Sequence, residues 1–98
     1  MSERELQAKV RGLCADLGLM VQHYENSLEG RCWVRGDPDL RIYGAGVLYR
    51  ELKNMHEVTT SAQRVFGAAV LRAGINWAVW RPEQLLDGTI TAELMSIS

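Results

Sequence analysis

Apolar and polar positions alternate with two different periods along this chain. In the first segment Leu6, Val10, Leu13 and Leu17 recur at helical spacing and form one apolar stripe. The pattern predicts a helix over residues 2–17, with Ser2 as N-cap, Glu3 and Glu5 at the positive end of its dipole, and Gly18 as its stop. At about 100° per residue, Glu3 falls beside the stripe together with Gln7, while Glu5 points to solvent. Residues 19–24 (LMVQHY) form a short apolar run that reads as a strand. Residues 25–36 (ENSLEGRCWVRG) show no period and read as a loop, with some strand character around 32–34. Asp37-Pro38 marks a turn, because proline disfavours helix in the residue before it.

The period then changes to two. Residues 39–43 (DLRIY) and 47–53 (VLYRELK) both alternate, and Gly44-Ala45-Gly46 between them predicts a hairpin. After an irregular stretch, Ala62, Phe66, Ala69, Val70 and Ala73 share one face of a second helix over residues 61–73, closed by Gly74. Residues 75–80 (INWAVW) form another strand, ended by Arg81-Pro82; a short helix begins at residues 82–86, and the last ten residues carry weak signals. The order α-β-β-β-α-β describes an α/β fold: a small mixed sheet with a central hairpin, flanked by helices.

Composition narrows the class. Ninety-eight residues make one domain, 1–98. At 47% apolar and 23% charged, the chain is neither disordered nor fibrous. No apolar run approaches the ~18 residues of a membrane span, and the charged N-terminus lacks a signal-peptide core. Cys14 and Cys32 are too few for a disulfide scaffold, so a reducing cytoplasm is the simpler setting. Eleven Lys+Arg against twelve Asp+Glu exclude binding of nucleic acid by bulk charge alone. Nine of the eleven cations are Arg, leaving only Lys9 and Lys53. An arginine fork suits phosphate, so a lysine asks for a reason.

The hairpin supplies one. If Gly44–Gly46 is a three-residue loop, Tyr43 pairs with Val47, and Asp39 sits opposite Glu51. Directly opposed side chains have Cβ atoms about 4.5–5.5 Å apart, where like charges destabilise. A divalent cation between them would turn repulsion into binding, and Mg²⁺ favours one or two carboxylates with water and phosphate oxygens. Lys53 falls on the same face as Glu51, while Leu48 and Leu52 point into the core. A two-residue loop would instead move Asp39 to the wrong face. Two acids and an ammonium are the parts needed for metal-assisted phosphodiester hydrolysis: the metal polarises the phosphoryl oxygen and activates water. Lys53 orients that water or offsets charge on the phosphate.

Pro38-Asp39, followed after eleven residues by Glu51-Leu52-Lys53, resembles the PD-(D/E)XK nuclease motif. Ser2 to Gln7 (SERELQ), His23 and Ser27, Gly36 to Leu40 (GDPDL), Ser61-Ala62-Gln63 and Trp80-Arg81-Pro82 extend the resemblance to the VRR-NUC domain, in its short stand-alone phage form. The resemblance runs from Glu3 to about Leu86. It implies a restriction-endonuclease-like fold, and a metal site made by Asp39, Glu51 and the Leu52 carbonyl. Lys53 would serve the water, Glu3 would approach the metal from the first helix, and Gln63 would support the site from the second. It also implies Mg²⁺ or Mn²⁺, a DNA substrate, and a homodimer acting on branched DNA such as four-way junctions, in a host cytoplasm if phage-encoded. Asp37 departs from the pattern, which commonly has an apolar residue there.

Other readings stand beside these. Gln63 also completes a T-x-x-Q capping box with Thr60. Glu3 also suits the helix dipole, and Asp37 suits a turn before Pro38. His23 is either a half-buried strand residue or cleft-facing, and His56 reads as a solvated loop residue. Cys14, His23, Cys32 and His56 lack the close spacing of a zinc set. Tyr49 either flanks the cleft or packs beneath it, and at least one of Trp77 and Trp80 belongs to the core. Arg31 and Arg35, with Trp33 between them, suit phosphate contact and base stacking, and Arg41 shares the face of Asp39. Leu71, opposite Phe66, is a weak hint of an interface. The alternatives for function are a non-catalytic dimeric binder of branched DNA, and a nuclease of the same class acting on flaps or ends.

Overall fold

A computed structural model describes residues 1–23 and 36–98. Helix α1 (Glu3–Asp16) begins with a complete capping box: the Ser2 hydroxyl accepts from the Glu5 amide at 3.1 Å, and the Glu5 carboxylate accepts from the Ser2 amide at 3.3 Å. It ends at Leu17, with Gly18 at φ +71, a left-handed position that glycine takes without a Cβ penalty. Four strands follow the order β1 (Met20–His23), β2 (Leu40–Tyr43), β3 (Val47–Leu52) and β4 (Asn76–Trp80) across one sheet. The first two pairings are antiparallel and β3–β4 is parallel. Helix α2 (Ser61–Arg72) makes the crossover between the parallel strands. The chain therefore has a mixed α/β fold.

The hairpin has the register expected of a three-residue loop, with Tyr43 opposite Val47 and Leu40 opposite Arg50. The turn is closed from outside. The Ala45 amide donates to the Ile97 carbonyl at 2.5 Å, and a Cβ on Gly44 would run into that same carbonyl. Glycine is needed here because two backbones approach closely.

Alternation divides the sheet into two faces. Leu40, Ile42, Leu48, Leu52 and Trp80 are buried with Leu6, Val10 and Cys14 of α1 and with Ile90, Leu94 and Ile97 near the C-terminus. Each fully buried aliphatic side chain contributes about 1.5–3 kcal/mol. The opposite face carries Tyr49 and Trp77 under α2. Tyr49 stacks on Phe66 with ring centroids 6.5 Å apart, and Gly67 lies against the Trp77 ring, where an added Cβ would come within 2.6 Å. Tyr49 therefore packs beneath the helix.

Two expectations need correction. The short helix expected at residues 82–86 is α3 (Pro82–Leu86), but a further helix, α4 (Thr89–Ser96), follows it, so the order is α-β-β-β-α-β-α-α. Ile90, Leu94 and Ile97, at steps of four and three, complete the core that α1 alone leaves open. On α2, Ala69 and Ala73 are exposed; the packed face is Phe66, Gly67 and Val70, because the Trp77 ring needs the gap that Gly67 leaves. Leu71 is exposed, and so is Val65.

Arg50 lies on the core face, 1% exposed. Its guanidinium donates to the Asn76 carbonyl at 2.7 Å and to Glu93 of α4 at 2.8 Å, and it sits 5.0 Å from the Trp80 ring centroid. The Trp80 indole N–H also donates to Glu93 at 3.3 Å. Burial presses the Arg50 pKa down, and the Glu93 carboxylate opposes that. Among the described residues no helix is long and apolar enough to cross a membrane.

Candidate active site

Four stretches of chain meet at the α2 side of the hairpin. Asp39 stands one residue before β2, and extending the register places it opposite Glu51. Its carboxylate caps the ladder: Asp39 Oδ2 accepts from the Leu52 amide at 2.8 Å. Pro38 has no N–H to offer the ladder and is buried. The approach to Pro38 is fixed by Gly36 at φ +85, whose Cα lies so close to the Ala62 carbonyl of α2 that no side chain fits. Glycine at 36 thus holds the start of β2 against the first turn of α2.

Glu51 is 2% exposed and Lys53 is 7% exposed. Lys53 Nζ lies 4.0 Å from Glu51 Oε1, and Gln63 Nε2 donates to the same oxygen at 2.7 Å. The other oxygen, Oε2, is buried without a hydrogen-bond partner among the described residues. Burial drives the Glu51 pKa up to about 9, and the neighbouring Asp39 carboxyl adds to the rise. Lys53 pulls it down and Glu3 pushes it up. Glu51 is therefore a carboxyl group whose negative charge the Lys53 ammonium offsets only in part.

Gln63 does both things its sequence position allowed. Its Oε1 accepts from the Thr60 amide at 2.8 Å while Thr60 Oγ1 accepts from the Gln63 amide at 3.1 Å, a full capping box. The remaining amide nitrogen reaches Glu51. The cap fixes the side chain, so its donor meets the carboxyl already oriented.

Glu3 arrives from the first position of α1 and is half-buried. Its pKa rises to about 7, chiefly through burial, then through a hydrogen bond with Glu57 and the charge of Asp39; Lys53 opposes these. Sequence reasoning missed Glu57. It sits in an Asx turn, where Asn54 Oδ1 accepts from the His56 and Glu57 amides at 2.9 and 2.8 Å. An Asn-x-x-Glu step directly after Lys53 was the available signal.

The other candidates distribute as follows. Arg41 shares the Asp39 face, where its guanidinium donates to Asp37 Oδ1 at 2.8 Å and lies 5.1 Å from the Tyr49 ring centroid. Asp37 thus anchors Arg41. His23 pairs with Leu40, which turns it to the core face of the sheet, away from Asp39 and Glu51. His56 is exposed and Cys14 is a buried free thiol whose pKa burial raises to about 11. Ser27, Arg31, Cys32, Trp33 and Arg35 lie outside the described residues. Among the described residues no three His, Cys, Asp or Glu side chains gather as a ready ligand set. A metal at this place would meet two carboxylates, Asp39 and Glu51, with the Leu52 carbonyl as the third protein oxygen that the family resemblance implies.

Compared with protein-family models, with curated proteins and with solved structures, the chain finds no match in any of the three.

Proposed function

We propose that the chain is a metal-dependent, structure-selective DNA endonuclease of the PD-(D/E)XK class, resembling the VRR-NUC domain. Its reaction is hydrolysis of phosphodiesters in branched DNA, such as Holliday junctions. The observation that carries this reading is the placement of Asp39 opposite Glu51 across the hairpin, with the Lys53 ammonium 4.0 Å from Glu51.

The donor chemistry fits a hard divalent cation. Glu51 has one buried oxygen without a partner and a carboxyl that holds its proton to about pH 9. A cation with oxygen preference offsets the charge that now requires that proton. Mg²⁺, or Mn²⁺, takes two carboxylates and leaves further positions for water and phosphate. When bound, such an ion polarises the phosphoryl oxygen and lowers the pKa of water. Asp39, Glu51 and the Leu52 carbonyl hold it, and Glu3 contributes directly or through water. Lys53 orients the attacking water or offsets charge on the phosphate. Gln63 fixes the Glu51 carboxyl.

Arg31, Arg35, Ser27 and Arg41 are proposed to contact DNA; His23, turned to the core face, is not. Of these Arg41 is already held by Asp37, so its contribution is a fixed charge at the rim of the site. A homodimer would present two such sites to the symmetric strands of a junction. The proposed setting is the cytoplasm, that of the host if the chain is phage-encoded.

The test is cleavage of labelled four-way junctions with Mg²⁺ by wild type, Glu51→Gln and Lys53→Ala. The reading expects cleavage by wild type and loss in both variants. Equal activity in all three overturns the mechanism. Tight binding without cleavage under any divalent metal turns the chain into a binding module, and a panel of flaps and ends sorts the substrate.

A further inference from the structure

Arg81 has no part in the chemistry described above, yet it holds the chain just beyond Lys53. One of its nitrogens, Nη1, donates to the Asn54 carbonyl at 2.6 Å and to the Glu57 carbonyl at 2.7 Å. These two carbonyls belong to the turn that Asn54 closes with its own side chain. Beside this grip, the Lys53 amide donates to the Trp80 carbonyl at 3.1 Å. Two consecutive residues at the end of β4 thus hold two consecutive residues at the end of β3. Arg81 is itself anchored, because its amide donates to Gln84 Oε1 at 2.8 Å in the first turn of α3.

The cost of losing this contact falls on the acid patch. Lys53 is the last residue before the turn, and it is buried although lysine strongly prefers water. Its ammonium stays near Glu51 only while the backbone leaves β3 in this direction. Glu57, which meets Glu3, sits on the same turn. A guanidinium can serve two carbonyls from a fixed plane and keeps its charge at any working pH.

We infer that Arg81 is a positioning residue. By gripping the Asn54 and Glu57 carbonyls it sets the direction of the Lys53 side chain and the place of Glu57 beside Glu3. The catalytic consequence rests on the proposed nuclease function; the positional one does not.

The chain has only two lysines, so reductive methylation with ¹³C gives one signal for Lys53 and one for Lys9, beside that of the N-terminus. Lys9 is exposed and serves as the internal reference. In Arg81→Met the Lys53 signal is expected to move toward that of Lys9, with the Lys9 signal fixed. Arg81→Gln, which keeps an N–H donor but not the planar fork and adds no lysine, is expected to restore the shift in part; it also serves if the Met variant does not fold. With junction DNA, kcat is expected to fall about tenfold or more with KM unchanged, as for a misplaced catalytic group. A Lys53 signal that stays put in a folded Arg81 variant overturns the inference. A moved signal in a protein that never cleaves DNA upholds the positioning and sinks the nuclease reading.

Discussion

Gln63 and Glu51 are joined by a 2.7 Å hydrogen bond from the nitrogen of an amide whose oxygen already caps α2. One side chain therefore serves fold and site together. Replacing Gln63 with Ala removes half of the capping box, the acceptor of the Thr60 amide, at a cost of about 0.5–1.5 kcal/mol, and strands Glu51 without its donor. Glutamate at this position would keep the cap but oppose Glu51. Urea unfolding without metal is expected to show Gln63→Glu less stable than Gln63→Ala above about pH 9, where Glu51 has lost its proton, although glutamate caps as well as glutamine.

A second expectation concerns pH. Glu51 is held near 9 and Glu3 near 7 in the folded protein, both above their ordinary value of 4.5. A group whose folded pKa is raised supports the fold fully below its unfolded pKa, and that support is lost as pH climbs toward the folded pKa. Metal-free wild type should therefore lose stability steadily from about pH 4.5 to 9. Glu51→Gln should flatten most of this slope and leave the part due to Glu3. Denaturation midpoints in EDTA at pH 5, 7 and 9 measure both; a wild-type midpoint that rises across this range contradicts the assignment.

Divalent metal should reverse that loss. A ligand at one hundred times its dissociation constant adds about 2.7 kcal/mol to the folded state. Titration with Mn²⁺ at pH 8 should raise the thermal midpoint of wild type and leave Asp39→Asn unmoved. Because the ion displaces a proton from Glu51, the rise should be smaller at pH 6 than at pH 8.

On the far face, Glu93 is the counter-charge of a buried arginine. Glu93→Ala leaves the Arg50 cation without its carboxylate, which typically costs about 3–5 kcal/mol. Since Glu93 is 31% exposed, the lower end is expected. Pairing it with Arg50→Met should recover much of the loss, and a double-mutant cycle in chemical denaturation reads the coupling.

The hairpin was legible because a Gly-Ala-Gly turn between two alternating segments leaves few choices of register. Once Tyr43 faces Val47, the neighbourhood of Asp39 and Glu51 follows from counting. Gln63 was legible as both cap and site residue because one amide has two ends. The C-terminal helix was hidden for a different reason. Ile90, Leu94 and Ile97 have helical spacing, but Thr89, Thr91 and the serines around them have weak helix propensity, so packing against α1 and the hairpin decides the matter. Arg50 reads from sequence only as facing away from Glu51; its partner Glu93 is 43 residues distant and lies on that hidden helix. His23 shows the limit of pattern reading, since its face depends on pairing with Leu40, which no local period reveals.

Asp39, Glu51 and Lys53 meet once the hairpin closes, but Glu3 and Gln63 join them only when both flanking helices have docked. A chain emerging from the ribosome, or a clipped fragment, holds every one of these residues and none of their geometry. The complete patch therefore exists only in the fully folded chain.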